Sequence, residues 1–279
     1  MAKILTDTLK TIEHYKSASP YYNELLDVLE EILILREEYR RNRKSDIFLV
    51  DEALVEKKMA GGLPLIDFTA GNFDLTEPKA YFLQLLEIAG KRVPGEKGET
   101  EDLAQRIKDG TVDFGEMIYG YFCGTSGDDF PIEPDDEHLD VLELFMEESL
   151  RPALEEVAEK YGGLISRSGW SEGYCPICGR EPKIGKLRKG ERRFLFCNQC
   201  GFEWSFMHIK CPFCGNEEQT TLAYFAIEGE ERYRVDVCNV CRRYIKMVDV
   251  SSGEGEANLD VEDIATLHLD MLANEEGYD

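Results

Sequence analysis

Apolar residues recur at three- and four-residue steps through most of the first 165 positions, which predicts helices. Ile4, Leu9 and Ile12 give residues 1–17 that spacing. In "SASPYYNELLDVLEEILILREEYRRNRK", Ser19 is placed to cap a long helix with Pro20 at its first position, where the missing N–H costs nothing. Leu25, Leu26, Leu29, Ile32 and Leu33 then form its apolar face, and the basic end suits the negative pole of the helix dipole. Gly and Pro in "MAGGLPLIDF" break the helical pattern. Thr76 should cap "KAYFLQLLEIAGKR", and two shorter helices should stop at Gly110 and Gly124. A loop rich in Gly, Asp and Pro covers roughly 124–136, and Pro152 should kink or divide the long helical stretch that follows.

The texture changes at "SRSGWSEGYCPICG", where aromatic and β-branched residues begin to alternate with polar ones. "PKIGKLRKGERRFLFC" reads as strand, turn and strand, and "TTLAYFAIEGEERYRVDVC" repeats the plan. A Cys-x-x-Cys pair flanks each side of both hairpins, so one small unit is duplicated. "SSGEGEAN" reads as a flexible break. In the closing stretch Val261, Ile264, Leu267 and Leu272 lie near one face of a final helix that packs back on a neighbour. These patterns divide the chain into a helical domain (1–165), two β modules (166–207 and 208–250), and a linker with a C-terminal helix (251–279).

Eight of the nine cysteines sit in four Cys-x-x-Cys knuckles. Cys175, Cys178, Cys197 and Cys200 form one set, and Cys211, Cys214, Cys238 and Cys241 the other. A knuckle aims two sulfurs at one point, and a glycine after the second Cys allows the positive φ that closes the turn. Two knuckles supply the four thiolates of a tetrahedral site, so the spacing predicts two separate metal centres. Each unit of about 35 residues is below the size, roughly 40, at which a core alone holds a fold. A bound ion contributes on the order of 10 kcal/mol or more. Zinc in such a cage is structural and iron can exchange an electron; spacing alone leaves both open. Four thiolates leave no position for a reactive water. Trp204, Phe206, Phe194 and Phe196 are expected to pack around the sites, and His208 is read as a strand residue rather than a fifth ligand.

With 279 residues and 43% hydrophobic content, the chain can bury a core. It lacks an apolar run of membrane-spanning length and a secretory signal pattern, so a cytoplasmic location is expected, where paired thiols hold metal rather than disulfides. Cys123 reads as a buried apolar thiol. The net charge of −24 is uneven. Residues 174–246 hold 13 Lys and Arg against 9 Asp and Glu, a surplus of four positive charges, so the remainder carries −28. That field opposes nucleic acid phosphates and favours basic segments of partner proteins. The basic run 183–193 straddles a hairpin turn and reads as solvated, and acidic pairs such as Asp135–Asp136 and Glu147–Glu148 read as surface. His14, His138 and His268 have no partnered nucleophile, and no catalytic set emerges.

The order of features resembles the formate dehydrogenase accessory protein FdhE family. The likeness rests on "GYCPICGREP" after Trp170, "RRFLFCNQCGFEWSFMHIKCPFCGN", "VDVCNVCRRYIKMVDV" and "DVEDIATLHLDMLANEEGY", and more loosely on "LRPALEEVAEKYG". The resemblance implies an α+β multidomain fold: an N-terminal helical bundle, two rubredoxin-like or zinc-ribbon modules, and a C-terminal helix. It also implies a non-enzymatic cytoplasmic maturation factor with iron favoured at the eight cysteines. The implied partner is the catalytic subunit of a formate dehydrogenase, including its twin-arginine signal region, and self-association to a homodimer. The rival readings are a rubredoxin-like electron carrier and a zinc-ribbon nucleic-acid binder.

Overall fold

The computed structural model describes residues 2–43, 46–71, 73–93, 95, 97–124, 136–190, 192–251 and 257–279. The expected loop at 124–136, the break at "SSGEGEAN", Asp135 and the side chains of Asp136 and His138 therefore fall largely outside the description.

Among the described residues seven α-helices come first: α1 Ala2–Ala18, α2 Asn23–Asn42, α3 Val55–Ala60, α4 Thr76–Arg92, α5 Lys97–Asp109, α6 Phe114–Cys123 and α7 Asp136–Ile165. Their caps differ from expectation in two places. Pro20–Tyr22 forms a separate 3-10 turn before α2, and the Ser19 side chain makes no cap bond. Asp74, not Thr76, accepts the first free N–H of α4, from Thr76 at 3.0 Å. Helix α7 runs through Pro152 without dividing. Leu26, Leu29, Ile32 and Leu33 are buried along α2 as the spacing requires, whereas Leu25 turns to solvent. Gly124 closes α6 at φ 66.

Six strands follow: β1 Ile184–Arg188, β2 Arg192–Phe196, β3 Glu203–Phe206, β4 Leu222–Phe225, β5 Tyr233–Cys238 and β6 Tyr244–Asp249. Each hairpin gains a third strand after its second knuckle. The two units then join, because β1 and β6 pair in parallel from Ile184↔Lys246 to Leu187↔Asp249. The result is one six-stranded sheet ordered β3-β2-β1-β6-β5-β4.

The closing segment is two helices, α8 Leu259–Ala265 and α9 Leu267–Glu275, broken at Thr266. They cover one face of the sheet. Leu259 packs with Ile184, Phe196 and Val248, while Leu269 and Ala273 pack with Val235 and Val237. On the opposite face, Leu195, Trp204, Phe206, Ile245 and Met247 join the core of α4 and α7 around Tyr81, Phe82, Phe145 and Leu154. Helix α1 sits on α2 and reaches Val261 of α8. No helix among the described residues is long and apolar enough to cross a membrane.

Candidate metal centres

All four knuckles have the same backbone closure. The first Cys N–H donates to the carbonyl five residues on, as in Cys175 to Arg180 and Cys211 to Asn216 (2.8 Å each). The residue after the second Cys donates back to the first Cys carbonyl, as in Gly179 to Cys175 at 2.9 Å. That residue takes positive φ: 79° at Gly179, 68° at Gly201, 72° at Gly215 and 60° at Arg242. The fourth knuckle thus places an arginine where the others use glycine, a conformation that costs on the order of 1–2 kcal/mol. Arg242 offsets this with its side chain. It donates to the carbonyls of Glu276 and Gly277 (2.9 Å each) and lies 4.0 Å from the Tyr278 ring centre.

The knuckles bring together Cys175, Cys178, Cys197 and Cys200 in one group, and Cys211, Cys214, Cys238 and Cys241 in the other. Within each group the sulfurs lie within 4.8 Å of one another. Cys175–Cys200 and Cys178–Cys197 are 3.4 Å apart, and Cys211–Cys241 and Cys214–Cys238 are 3.7 Å apart. A tetrahedron with metal–sulfur bonds of about 2.3 Å has edges of about 3.8 Å. The second group matches that size, and the first is slightly tighter. The donor set therefore fits a tetrahedral thiolate metal ion at each position.

Burial dominates the electrostatics of the first group. All four cysteines are buried there. Burial pushes the Cys175, Cys178 and Cys200 thiols up. At Cys197 burial is overcome by hydrogen bonds from the other three, which hold it well below the ordinary thiol range. A metal ion binds such thiols as thiolates, so binding at this buried cluster would release protons. In the second group, burial at Cys238 is outweighed by backbone N–H groups of Cys241 and Val240 and by neighbouring thiols, which lower it to about 7.

The two centres differ in access. Cys214 is exposed and Cys241 half-buried, whereas the first group is enclosed. The first is also stitched to the helices. Leu65 and Ile66 donate to the carbonyls of Pro176 and Ile177 at 2.9 Å, and Tyr174 Oη donates to Gly62 O at 2.6 Å. From α7, Arg151 donates to Asn198 O at 2.7 Å, and Gln199 Nε2 donates to Glu147 O at 2.6 Å. Arg151 also bonds Glu155 at 2.9 Å and Asp260 of α8 at 2.6 Å. Arg36 pairs with Glu148 at 2.6 Å, and Tyr81 Oη donates to Glu148 at 2.7 Å. These ties were missed in the sequence, where such carboxylates looked like surface. Glu148 is in fact buried, and Glu147 accepts from Tyr121 Oη at 2.8 Å.

Other expectations are corrected too. Two cations of the basic run 183–193 are internal: Lys186 pairs with Glu203 at 2.7 Å, and Arg193 is buried beside Asp236 at 3.4 Å. His208 lies exposed in the loop after β3, neither a strand residue nor part of a sulfur group. Cys123 is half-buried. Trp204, Phe206 and Phe196 are buried, while Phe194 is half-buried with the Arg188 guanidinium 4.8 Å from its ring centre.

Comparison with known proteins identifies the same regions. Residues 174–208 match the model "FdhE, central domain", and residues 209–279 match "FdhE, C-terminal domain". An FdhE homolog from Aquifex aeolicus is 28% identical over 279 residues, covering 97% of this chain and 90% of that protein. One from Pseudomonas aeruginosa is 34% identical over 114 residues, covering 37% of this chain and 36% of that protein. The crystal structure of the FdhE protein from Pseudomonas aeruginosa shares the fold, with a TM-score of 0.71 and 21% identity over 97% of this chain and 90% of that one.

Proposed function

We propose that this chain, whose residues 174–208 and 209–279 match the FdhE central and C-terminal domain models, belongs to that family and is a non-catalytic, metal-binding maturation factor for formate dehydrogenase. It binds the enzyme's catalytic subunit in the cytoplasm and acts as a homodimer. Residues 1–165 form the helical domain, 166–207 and 208–250 the two metal modules, and 251–279 the segment that closes them. Cys175, Cys178, Cys197 and Cys200 hold one ion, Cys211, Cys214, Cys238 and Cys241 the other, and iron is the native metal.

The observation that carries this reading is the pairing of eight sulfurs into two closed four-thiol groups inside the family's own domains. Four protein sulfurs per ion leave no site for substrate, which supports a binding role over metal hydrolysis. The inward turn of Lys186 and Arg193 removes two cations from any phosphate-binding face and disfavours the nucleic-acid reading. The test is co-purification of tagged full-length chain with a formate dehydrogenase catalytic subunit, together with formate oxidation in cells lacking the gene. Capture of the subunit, and activity restored by the wild type but not by Cys178→Ser, is expected. Normal formate oxidation without the gene would overturn the proposal.

A second reading has one observation in its favour: exposed Cys214 puts the edge of the second centre at the surface, where an electron could enter. Reversible reduction coupled to turnover with a reductase would support electron transfer instead.

A further inference from the structure

The knuckles are braced by different parts of the chain. The helical domain bonds the first two, through the N–H groups of Leu65 and Ile66, through Arg151, and through Gln199 bonded to α7. The fourth, from Cys238 to Arg242, is braced by the residues that follow α9. There the chain reverses at Gly277, whose φ is 77°. Gly277 N–H donates to Asn274 O at 2.9 Å and Tyr278 N–H to Ala273 O at 3.0 Å, while Leu269 and Ala273 hold α9 on the sheet. The reversal lays residues 276–279 against the knuckle.

Asp279 bonds the backbone on both sides of Arg243. Its N–H donates to Arg242 O at 2.8 Å, and its carbonyl accepts from Tyr244 N–H at 3.1 Å. Arg242 Nη2 donates to the carbonyls of Glu276 and Gly277 at 2.9 Å each, and Nε donates to Gly277 O at 3.1 Å. Its guanidinium lies over the Tyr278 ring, whose hydroxyl donates to Asn239 Oδ1 at 2.8 Å. Asn239, Arg242, Glu276, Gly277 and Asp279 are all exposed. Solvent-exposed bonds of this kind open locally far more often than those of a core.

The backbone held by these bonds is a strained one. Gly179, Gly201 and Gly215 close the other knuckles at positive φ without a Cβ penalty, whereas Arg242 holds φ 60° against the preference of an L-residue. Once the brace is lifted, Arg242 relaxes toward negative φ. That movement breaks its N–H bond to Cys238 O, now 2.8 Å, and swings away the Arg243 N–H that points at the Cys241 sulfur. Cys241 is half-buried and Cys214 of the same group is exposed, so a sulfur displaced there leaves its ion open to a competing ligand. The first group is enclosed, and both of its knuckles close on glycine.

We propose that residues 276–279 are a latch on the second metal centre: seated, they hold the strained fourth knuckle closed, and lifted, they make the ion there exchangeable while the first ion stays fixed. The proposal rests on the reading of Cys211, Cys214, Cys238 and Cys241 as a metal site. The probe is the full-length chain reconstituted with Zn²⁺ and challenged with excess EDTA. Native mass spectrometry counts the ions over time, and iodoacetamide labelling with peptide mapping reports which cysteines are freed. Tyr278→Ala removes the ring beside Arg242 and the bond to Asn239. It should speed loss of the second ion roughly ten-fold, the size expected for one hydrogen bond and one cation–π contact together. Labelling should rise at Cys238 and Cys241, and release of the first ion should not change. Arg242→Gly removes the strain, so adding it to Tyr278→Ala should return release to near the wild-type rate. Met271→Ala, at an exposed position of α9, is the control and should leave both rates unchanged.

Unchanged release of the second ion in Tyr278→Ala would overturn the latch. Equal acceleration of both ions would do the same, because it marks a general loosening of the chain. A double variant that loses its ion as fast as Tyr278→Ala alone would also count against it, since strain at Arg242 would then play no part. If the double variant fails to fold, the single variant still decides. A wild-type chain that takes up no ion at the second group refutes the metal reading rather than the latch. Amide exchange at Val240 and Arg242 then judges the latch by itself: faster exchange in Tyr278→Ala supports it, and unchanged exchange overturns it.

Discussion

Replacing Arg151 with Met tests whether the helical domain and the first metal module form one mechanical unit. The aliphatic stem is largely preserved, so the change removes mainly the guanidinium. Lost with it are bonds to Glu155 at 2.9 Å, to Asn198 O at 2.7 Å and to Asp260 at 2.6 Å. Glu155 keeps Arg40 at 2.8 Å and Arg36 at 3.4 Å, whereas among the described residues Asp260 keeps Arg36 at 3.6 Å. Removing one partner of a buried ion pair costs about 3–5 kcal/mol, and the remaining partners place this case near the lower end, at about 3 kcal/mol. For a chain of this size that corresponds to a melting temperature lower by about 6–12 °C in a calorimetric scan at pH 7. The loss should depend on pH in a definite direction. Burial raises the Asp260 carboxyl, but Arg151 and Arg36 overcome burial and hold it below the usual carboxylate range. In the wild type, that contribution is complete above the unfolded pKa and disappears as pH falls through the lower folded value. In Arg151→Met the carboxyl rises, its buried charge becomes a cost, and acid relieves that cost by protonation. The gap between the two proteins should therefore narrow from pH 7 toward pH 4. A melting difference under 2 °C, or a gap that widens in acid, would refute the network's role.

Three further outcomes follow from other residues. Arg242→Gly should relieve the left-handed backbone strain but release the carbonyls of Glu276 and Gly277. Global stability should then change by less than about 1 kcal/mol, while amide exchange accelerates sharply at Gly277 and Tyr278; unchanged exchange there contradicts the tie. Gly173→Ala would drive a Cβ into the carbonyl of Pro212, where backbone has no room to move. It should cost about 3 kcal/mol or more, measured by denaturant unfolding, and a neutral effect would show that the approach of the two modules is not tight. A chelator should strip the second centre first, because Cys214 is exposed and the first group is enclosed; simultaneous loss in a native mass spectrometry time course argues against that asymmetry.

Local chemistry was the most legible part of the sequence. Each Cys-x-x-Cys sequence closes a knuckle within a few residues, and the hairpin-length spacing between neighbouring knuckles suggests the two groups of four that the structure brings together. Helical periodicity likewise located α2 and α4, and alternation located both hairpins. What could not be read locally was what each element meets. Strand β3 in "FEWSF" and strand β6 in "YIKMVDV" carry visible alternation, but their pairing, and the parallel β1–β6 contact between residues about 60 apart, are set by the whole sheet. Lys186, Arg193 and Glu148 resemble surface charges by residue type, and only the fold supplies the partners that make their burial affordable. The final helix breaks at Thr266 because the segment must follow two patches of the sheet, one around Leu259 and another around Leu269. Arg242 had a local signal: it occupies the position that the other three knuckles give to glycine.

The metal centres themselves are tested most directly by counting ions and thiols on one sample. Anaerobically purified chain would be weighed by native mass spectrometry, its metal identified by elemental analysis, and its cysteines challenged with iodoacetamide before and after acid stripping. Two tetrahedral thiolate sites predict two ions per chain, iron by the family reading, and eight cysteines that react only after the ions leave. A folded, metal-free chain whose eight knuckle thiols alkylate at once would contradict the account.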